Sequence, residues 1–394
     1  MKELLLSQVQ NVGKHPKGRR WPKEIINVCL QLYTRSPVGY GLLRSSEMLV
    51  LPSPSLLVLY KSRVQHKIGF DEEIFRWMHA EALRLNVPPY GWKGGIILDE
   101  MAIQKDLQIQ KNGDVVELIG LVDVGEEGNV MNTLRMGRKE RQLGTHVLQF
   151  IFLGLTGFRF PFGHFITNNV AAYDIHTLFW EAVVSLSMYG FSTSFTFMDG
   201  AQSNRTFQSI NLGKNPQTMV AQSPEDPKNS VILMMDVSHV IKKVRYNIMK
   251  SGISKGCTRN LLLPDESPIQ WQMWINAFEW DQENGLKLHR KLTKEHIYPS
   301  TQSKMRNHLA NEVLNNDMMY LMCQYQSSLV NGKVLNGIVQ FLKKTSQIID
   351  LFNDRAPVQS RDDNRLQILK EIEYWFTDWS NSIQSDSISS VEKS

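Results

Sequence analysis

Two short apolar runs, each ending in an aspartate, constrain this chain more than any other feature: Ile96–Leu98 before Asp99, and Phe195–Met198 before Asp199. A run of this length bounded by turn residues reads as a buried strand. An ionised carboxylate at the end of such a strand, where it is buried, needs a partner or a metal to offset its desolvation. Two such carboxylates, far apart in sequence, can lie side by side in one sheet. Two-metal phosphoryl transfer requires hard oxygen ligands that hold Mg²⁺ ions about 3.5–4 Å apart, one activating the nucleophile and one stabilising the leaving oxygen. The pair therefore predicts carboxylates roughly 4–6 Å apart on one sheet face. Read residue by residue, the alternative stays open: each acid caps a turn or the next helix.

The segments between the two runs favour the paired arrangement. "VVELIGLVDVG" (115–125) reads as a second strand, and "HVLQFIFLGLTGFRFPFGHFIT" (146–167) as a third, long and aromatic. Between them, residues 125–145 are polar and rich in Gly and Arg, and read as an exposed loop. "DIHTLFWEAVVSLSMYG" is a helix, with Asp174 as its cap and Leu178, Ala182 and Leu186 down one side. "FSTSFTFMDG" is the fourth strand. Strand, strand, strand, helix, strand is the order of an RNase H-like α/β core.

Upstream, residues 21–64 read as three short helices. Ile25, Val28, Cys29 and Leu32 share a face, Ser36–Pro37 and Ser53–Pro54 open the second and third helices, and Lys61 and Arg63 close the last. Tight connections of this kind suit a helix-turn-helix, or any small helical subdomain. Residues 1–20, with the run "KHPKGRR", read as a basic arm, either a solvated linker or a DNA contact. A linker helix (65–93) follows, with Phe75, Met78, Ala82 and Leu85 on one face. The core then spans 94–228, an all-helical part 229–380, and a disordered tail 381–394. Trp271, Trp274, Phe278 and Trp280 run at near-helical spacing and read as core.

Charge and composition narrow the class. A net charge of +5 fits a nucleic-acid partner. The three cysteines, Cys29, Cys257 and Cys323, are too dispersed for a disulfide framework or a cysteine-rich zinc site, and point to a reducing compartment. No window reaches the ~18–20 apolar residues of a membrane span.

Four blocks in order carry a resemblance: "IILDEMAI" from Ile96, "LIGLVDVG" from Leu118, "FMDGAQSNR" from Phe197 and "MMDVSHVIKKVRYNI" from Met234. They resemble the corresponding blocks of P-element transposases and the THAP-domain transposase-derived proteins. The opening "RRWPKEIINVCLQLYTRSPVGYGLLRS" followed by "LPSPS" is similar to the helix-turn-helix that precedes that family's catalytic domain. The similarity covers most of residues 19–380. It implies Mg²⁺-dependent DNA cleavage and joining by a triad of two Asp and one Glu, with Asp99 and Asp199 as the two aspartates and metal ligands. It also implies a helical insertion that binds GTP, whose start matches Asp236 and Lys242. A lysine on a helix suits a phosphate as a point charge; the alternative for Lys242 is a solvated helix face. His239, inside the same block, orients a phosphate or carboxylate, or packs as a helix histidine. Asp123 falls outside the triad. The implied partners are DNA and GTP, with self-association as an option and no membrane, and the implied compartment is the nucleus.

Two departures stand out. The family's Cys/Cys/Cys/His zinc domain has no counterpart, and no block matches the catalytic Glu beyond the insertion. Glu371 and Glu373 are the nearest late acids, but they share a helix with Trp375 and Phe376 and read as its solvated side. Three readings follow: an active strand transferase, a domesticated DNA-binding remnant without catalysis, or a reading frame that continues to a third acid.

Overall fold

Ser36 ends one helix and starts the next. Its backbone closes the helix Lys23–Arg35, and its hydroxyl accepts the Gly39 amide at 3.1 Å to open the helix Pro37–Ser45. The computed structural model describes residues 2–62, 67–112, 115–136, 142–213, 218–224, 229–252, 257–263 and 265–391. The chain divides into two compact units, Met1–Trp77 and Met78–Ser394.

The first unit contains α1 (Lys2–Asn11), α2 (Lys23–Arg35), α3 (Pro37–Ser45) and α4 (Pro54–Ser62) around Ile25, Ile26, Cys29, Tyr40, Leu51 and Leu57. The three helices expected over 21–64 are present, but the buried face of α2 is rotated from the expected one. Ile26 is buried, whereas Val28 and Leu32 are exposed. Residues 1–20 are no free arm. Gln8 exchanges two hydrogen bonds with the Val50 backbone, and Asn11 clamps Ser7 and Arg20. Arg63 lies outside the described residues. In α5 (Glu72–Arg84), Phe75, Met78 and Ala82 are buried as expected, and Leu85 falls beyond the helix and is exposed.

The second unit is built on a mixed sheet. Its strands are β1 (Lys93–Ala102), β2 (His146–Gly154), β3 (Arg159–Thr167), β4 (Ser192–Met198), β5 (Val220–Gln222) and β6 (Ser230–Met235), in spatial order β3-β2-β1-β4-β6-β5. β1 pairs antiparallel with β2 and parallel with β4, and β4 pairs parallel with β6. Side chains alternate across each strand. Ile96, Leu98, Phe150, Phe152, Met198 and Leu233 are buried on one face. That face is the hydrophobic side of α7 (Ala172–Met188) and α8 (Gln202–Leu212), where Phe179 and Phe207 meet edge to face. Ile97, Ile151, Phe197 and Met234 occupy the other face and are only half-buried.

Several expectations change here. Residues 115–119 join no main-sheet strand: they pair with 108–112 in a separate hairpin. Their alternation is that of any strand, and pattern alone does not choose the partner. The second core strand is β2, and the long aromatic run is a hairpin, β2–β3, turning at Gly157 (φ 84°). The stretch 125–145 is not all loop, since α6 (Gly125–Met136) occupies its first half. Asp123 begins that helix, accepting the Asn129 side-chain amide at 2.9 Å and the Gly125 amide at 3.2 Å. Asp174 lies inside α7 rather than capping it; Ala171 is the cap residue, and burial pushes the Asp174 carboxyl up, partly offset by Asn132 and Arg135.

The sheet also extends past residue 228. β6 lies beside β4, so the helical part begins only at α9 (Val237–Met249). It continues with α10 (Trp271–Glu283), α11 (Lys294–Ile297), α12 (Asn307–Glu312), α13 (Asn316–Ser328), α14 (Asn336–Asn353) and α15 (Asn364–Val391). Within the part expected to be all-helical, residues 303–328 form a 3₁₀ turn, α12 and α13, and Asn315 caps the last by accepting the Met318 amide. Trp271, Trp274 and Phe278 are core, with the Trp274 indole donating to the Val313 carbonyl at 2.9 Å. The end expected to be disordered continues α15 to Val391.

Candidate active site

The register of three parallel strands positions the two aspartates. Ile97 is paired with Phe197, and Phe197 with Met234. Two residues beyond these pairs come Asp99, still within its strand, and Asp199 and Asp236, each one residue past the end of its own. The side-chain period of 2 therefore places these three acids at one level and on one face, the half-open one. Neighbouring strands lie about 4.8 Å apart, so Asp99 and Asp199 are adjacent and Asp236 is one strand further on.

Asp99 is not at its strand's end. β1 runs on to Ala102 against β2, where Asp99 faces Gln149, and only its parallel neighbour β4 stops at Met198. Asp99 is exposed, level with the point where β4 ends. The carboxylate of the next residue, Glu100, points to the opposite face. It accepts the Thr167 hydroxyl and the Val170 amide, and so holds the turn after β3.

Asp199 is fixed by the chain that follows it. Its Oδ1 accepts the Ala201 amide at 2.8 Å and the Asn204 side-chain amide at 2.7 Å. These bonds form an Asx turn leading into α8, so the turn-capping alternative holds for one oxygen. Oδ2 is left without a hydrogen bond to the described residues. Two hard carboxylates at one level, one exposed and one with an uncommitted oxygen, suit Mg²⁺. No third carboxylate joins them: among the described residues, the only group of three possible metal-binding side chains is His289, Glu312 and Asp317, in the helical part. Glu371 and Glu373 are exposed on α15.

Asp236 caps α9. Its amide donates to the Met198 carbonyl at 2.8 Å, and its Oδ1 accepts the Ser238 amide at 2.7 Å. His239 Nδ1 lies 3.2 Å from Oδ2. Burial acts to raise the Asp236 pKa, but the His239 and Ser238 contacts outweigh it and hold the carboxyl below its usual range. A cavity of about 310 Å³ adjoins this cap. Ile97 and Phe197 form its floor, Asp236, Ser238 and Ile241 one wall, and Asn311 with the end of α14 (Ile349, Phe352, Asn353) the other. That size is at the lower end for small-ligand pockets. Lys242 is half-buried on α9, does not line the cavity, and makes no hydrogen bond or ion pair with the described residues.

The lysine that reaches the turn after Asp199 is the next one. Lys243 Nζ donates to the Gly200 carbonyl, one residue after Asp199. In the sequence Lys243 is one of two adjacent lysines, with nothing local to set it apart from Lys242. The clue was Gly200, where a Cβ would come within 2.5 Å of that ammonium.

Comparison with known proteins bears on the family and the fold. Residues 66–211 match the family model of the TNP-like RNase H N-terminal domain, and residues 238–365 that of the TNP-like GTP-binding insertion domain. No curated protein matches the sequence. Among solved structures, the chain is similar to one described as the Drosophila P element transposase strand transfer complex. The TM-score is 0.68 at 17% identity, over 94% of this chain and 76% of that one. At that identity the likeness concerns the fold, an RNase H-like core with a helical insertion. Two adjoining TNP-like domains, in order and together over most of the molecule, show that this chain belongs to the TNP-like, transposase-like family.

Proposed function

We propose that this protein cleaves and joins DNA strands with bound Mg²⁺, using Asp99 and Asp199 as metal ligands. The register match of Ile97 with Phe197 carries the reading, because residues two further on from such a pair are expected to lie side by side on the open face. When bound there, the metal would lower the pKa of an attacking water or hydroxyl and neutralise charge on the transferring phosphate. Asp199 is held in place by Asn204 and the Ala201 amide, so its free oxygen is pre-oriented. Asp99 stands on an unbroken strand, which makes it the rigid member of the pair.

GTP is assigned to the start of the insertion. The cavity beside Asp236 offers a carboxylate and side-chain amides of the kind that pair with a guanine edge, over an apolar floor. Lys242 does not line that cavity; its proposed phosphate contact rests on the sequence resemblance and on its having no partner among the described residues. The domain division is proposed on the same basis: α1–α4 as a helix-turn-helix DNA-binding unit, the sheet as catalytic core, and α9–α15 as the nucleotide-binding part. DNA chemistry of this kind places the protein in the nucleus.

One observation favours a second reading, a DNA- and nucleotide-binding protein without catalysis. No third carboxylate joins Asp99 and Asp199 among the described residues. A plasmid-nicking assay with Mg²⁺ separates the two. Metal-dependent nicking that disappears in Asp99→Asn and in Asp199→Asn, by more than about 100-fold, supports the enzyme. DNA binding without nicking by the wild type supports the second reading and removes the first.

A further inference from the structure

Two cations stand beside Asp199 without forming an ion pair with it. Lys243, on the second turn of α9, is exposed along its length but turns its ammonium in against the Gly200 carbonyl. Arg205, exposed on the first turn of α8, bonds only the Gln202 side chain of its own helix, at 2.7 Å. Neither makes a salt bridge with a described carboxylate. The two also feel each other. Burial, then the repulsion of Arg205, lowers the Lys243 pKa, and attraction from Asp199 offsets this only in part. Lys243 lies against the Gly200 carbonyl and the Arg205 backbone amide donates to the Ala201 carbonyl at 3.1 Å, so both cations belong to the turn that follows Asp199, where an anion would be attracted by each. Gly200 belongs to the same arrangement, since a side chain there would displace the ammonium from the turn.

The position selects the anion. Lys243 and Arg205 flank the turn Asp199–Ala201 and approach it from two different helices. An anion between them would lie next to whatever the Asp99–Asp199 pair holds. We infer that Lys243 and Arg205 form a seat for a backbone phosphate of DNA, adjoining the phosphate presented to the carboxylates. The seat takes a phosphodiester, one charge per unit, with Lys243 as a point donor and Arg205 as a planar fork. It rests on the metal-dependent DNA reading above, and it assigns Lys243 a positioning role distinct from that of Lys242.

The test is the salt dependence of binding to a labelled DNA duplex, in Ca²⁺ so that the strand stays intact. Each phosphate contact contributes roughly 0.9 to the slope of log affinity against log salt. Lys243→Met keeps the methylenes and removes the charge. It is expected to flatten the slope by about one and to weaken binding about fivefold at about 0.15 M salt, for any sequence. Arg205→Gln should do the same, and Lys243→Arg should restore most of the slope. A slope unchanged in Lys243→Met overturns the seat. So does a fall in GTP affinity with DNA affinity intact, which would make the site a nucleotide contact. A loss of thermal stability that accounts for the whole binding defect, and that Lys243→Arg does not reverse, also overturns it by reducing Lys243 to a latch on Gly200. The two readings fail separately. Metal-dependent nicking with an unchanged Lys243→Met slope retires only the seat, whereas a wild type that binds no DNA retires both.

Discussion

The two faces of the main sheet use the same strands for opposite ends. On one face Ile96, Leu98, Phe150, Phe152 and Leu233 are almost completely buried. On the other, one residue along each strand, Ile97, Ile151, Phe197 and Met234 are half-buried, and Asp99 is exposed. The closed face carries stability. The open face gives up part of its burial and in return presents carboxylates level with the end of β4. Functional groups sit at such ends of parallel strands because the backbone there is rigid and the neighbouring strand has turned away. The contrast also explains why two acids adjacent in sequence, Asp99 and Glu100, have nothing in common: one opens to solvent, and the other ties down the turn after β3.

The largest effect expected from this contrast concerns two neighbours in β2. Phe150 is fully buried between Phe162 and Phe165, both edge-on to it. Phe150→Ala should cost about 3–5 kcal/mol. Ile151→Ala, on the open face, should cost less, about 1–2 kcal/mol, because Ile151 is only partly buried. Urea unfolding of both variants checks this, and equal losses would mean that the open face is closed in solution. A smaller effect separates the adjacent acids. Glu100→Ala leaves the buried Thr167 hydroxyl and the Val170 amide unsatisfied and should cost about 1–3 kcal/mol. Asp99→Ala should change stability by no more than about 0.5 kcal/mol. A strongly destabilised Asp99→Ala would show a structural acid and undo its assignment as a free metal ligand.

Much of this architecture is legible in the residues, and the gaps have physical causes. Asp99 and Asp199 stand out because an acid after an apolar run is costly unless used. Their common level is not legible, since register depends on which strands pair, and that is decided by contacts over about a hundred residues. The same limit explains the hairpin 108–119: its alternating pattern fits a sheet strand, but its partner is its own neighbour. β6, "SVILMM", lacks punctuation before the α9 cap, so nothing local separates it from the helical part that follows. Asp236 was readable as the start of the insertion, but not as the third acid in register with the other two. Lys243 is hidden for a different reason. Its meaning lies in Gly200, forty-three residues away, and single residues do not reveal contacts across the fold.

Asp236 allows the smallest and most specific test, because it stands where the open face meets the helical part. Its folded pKa is held below the ordinary value by His239 and Ser238, against burial. A carboxyl with a depressed folded pKa stabilises the protein above its unfolded pKa, about 3.9, and loses that contribution as pH falls through the folded value. Asp236→Asn keeps a good helix cap and removes only the charge. The wild type should therefore exceed the variant in stability near neutral pH, and the gap should close below about pH 4. Because the Asp236 side chain is 44% exposed, solvent screening limits the gap to about 0.5 kcal/mol. Unfolding midpoints of both proteins from neutral pH to about pH 3 measure it. A gap that stays constant or widens on acidification would show that the Asp236 charge is not stabilised at this junction, and would remove the electrostatic link between the α9 cap and the open face of the sheet.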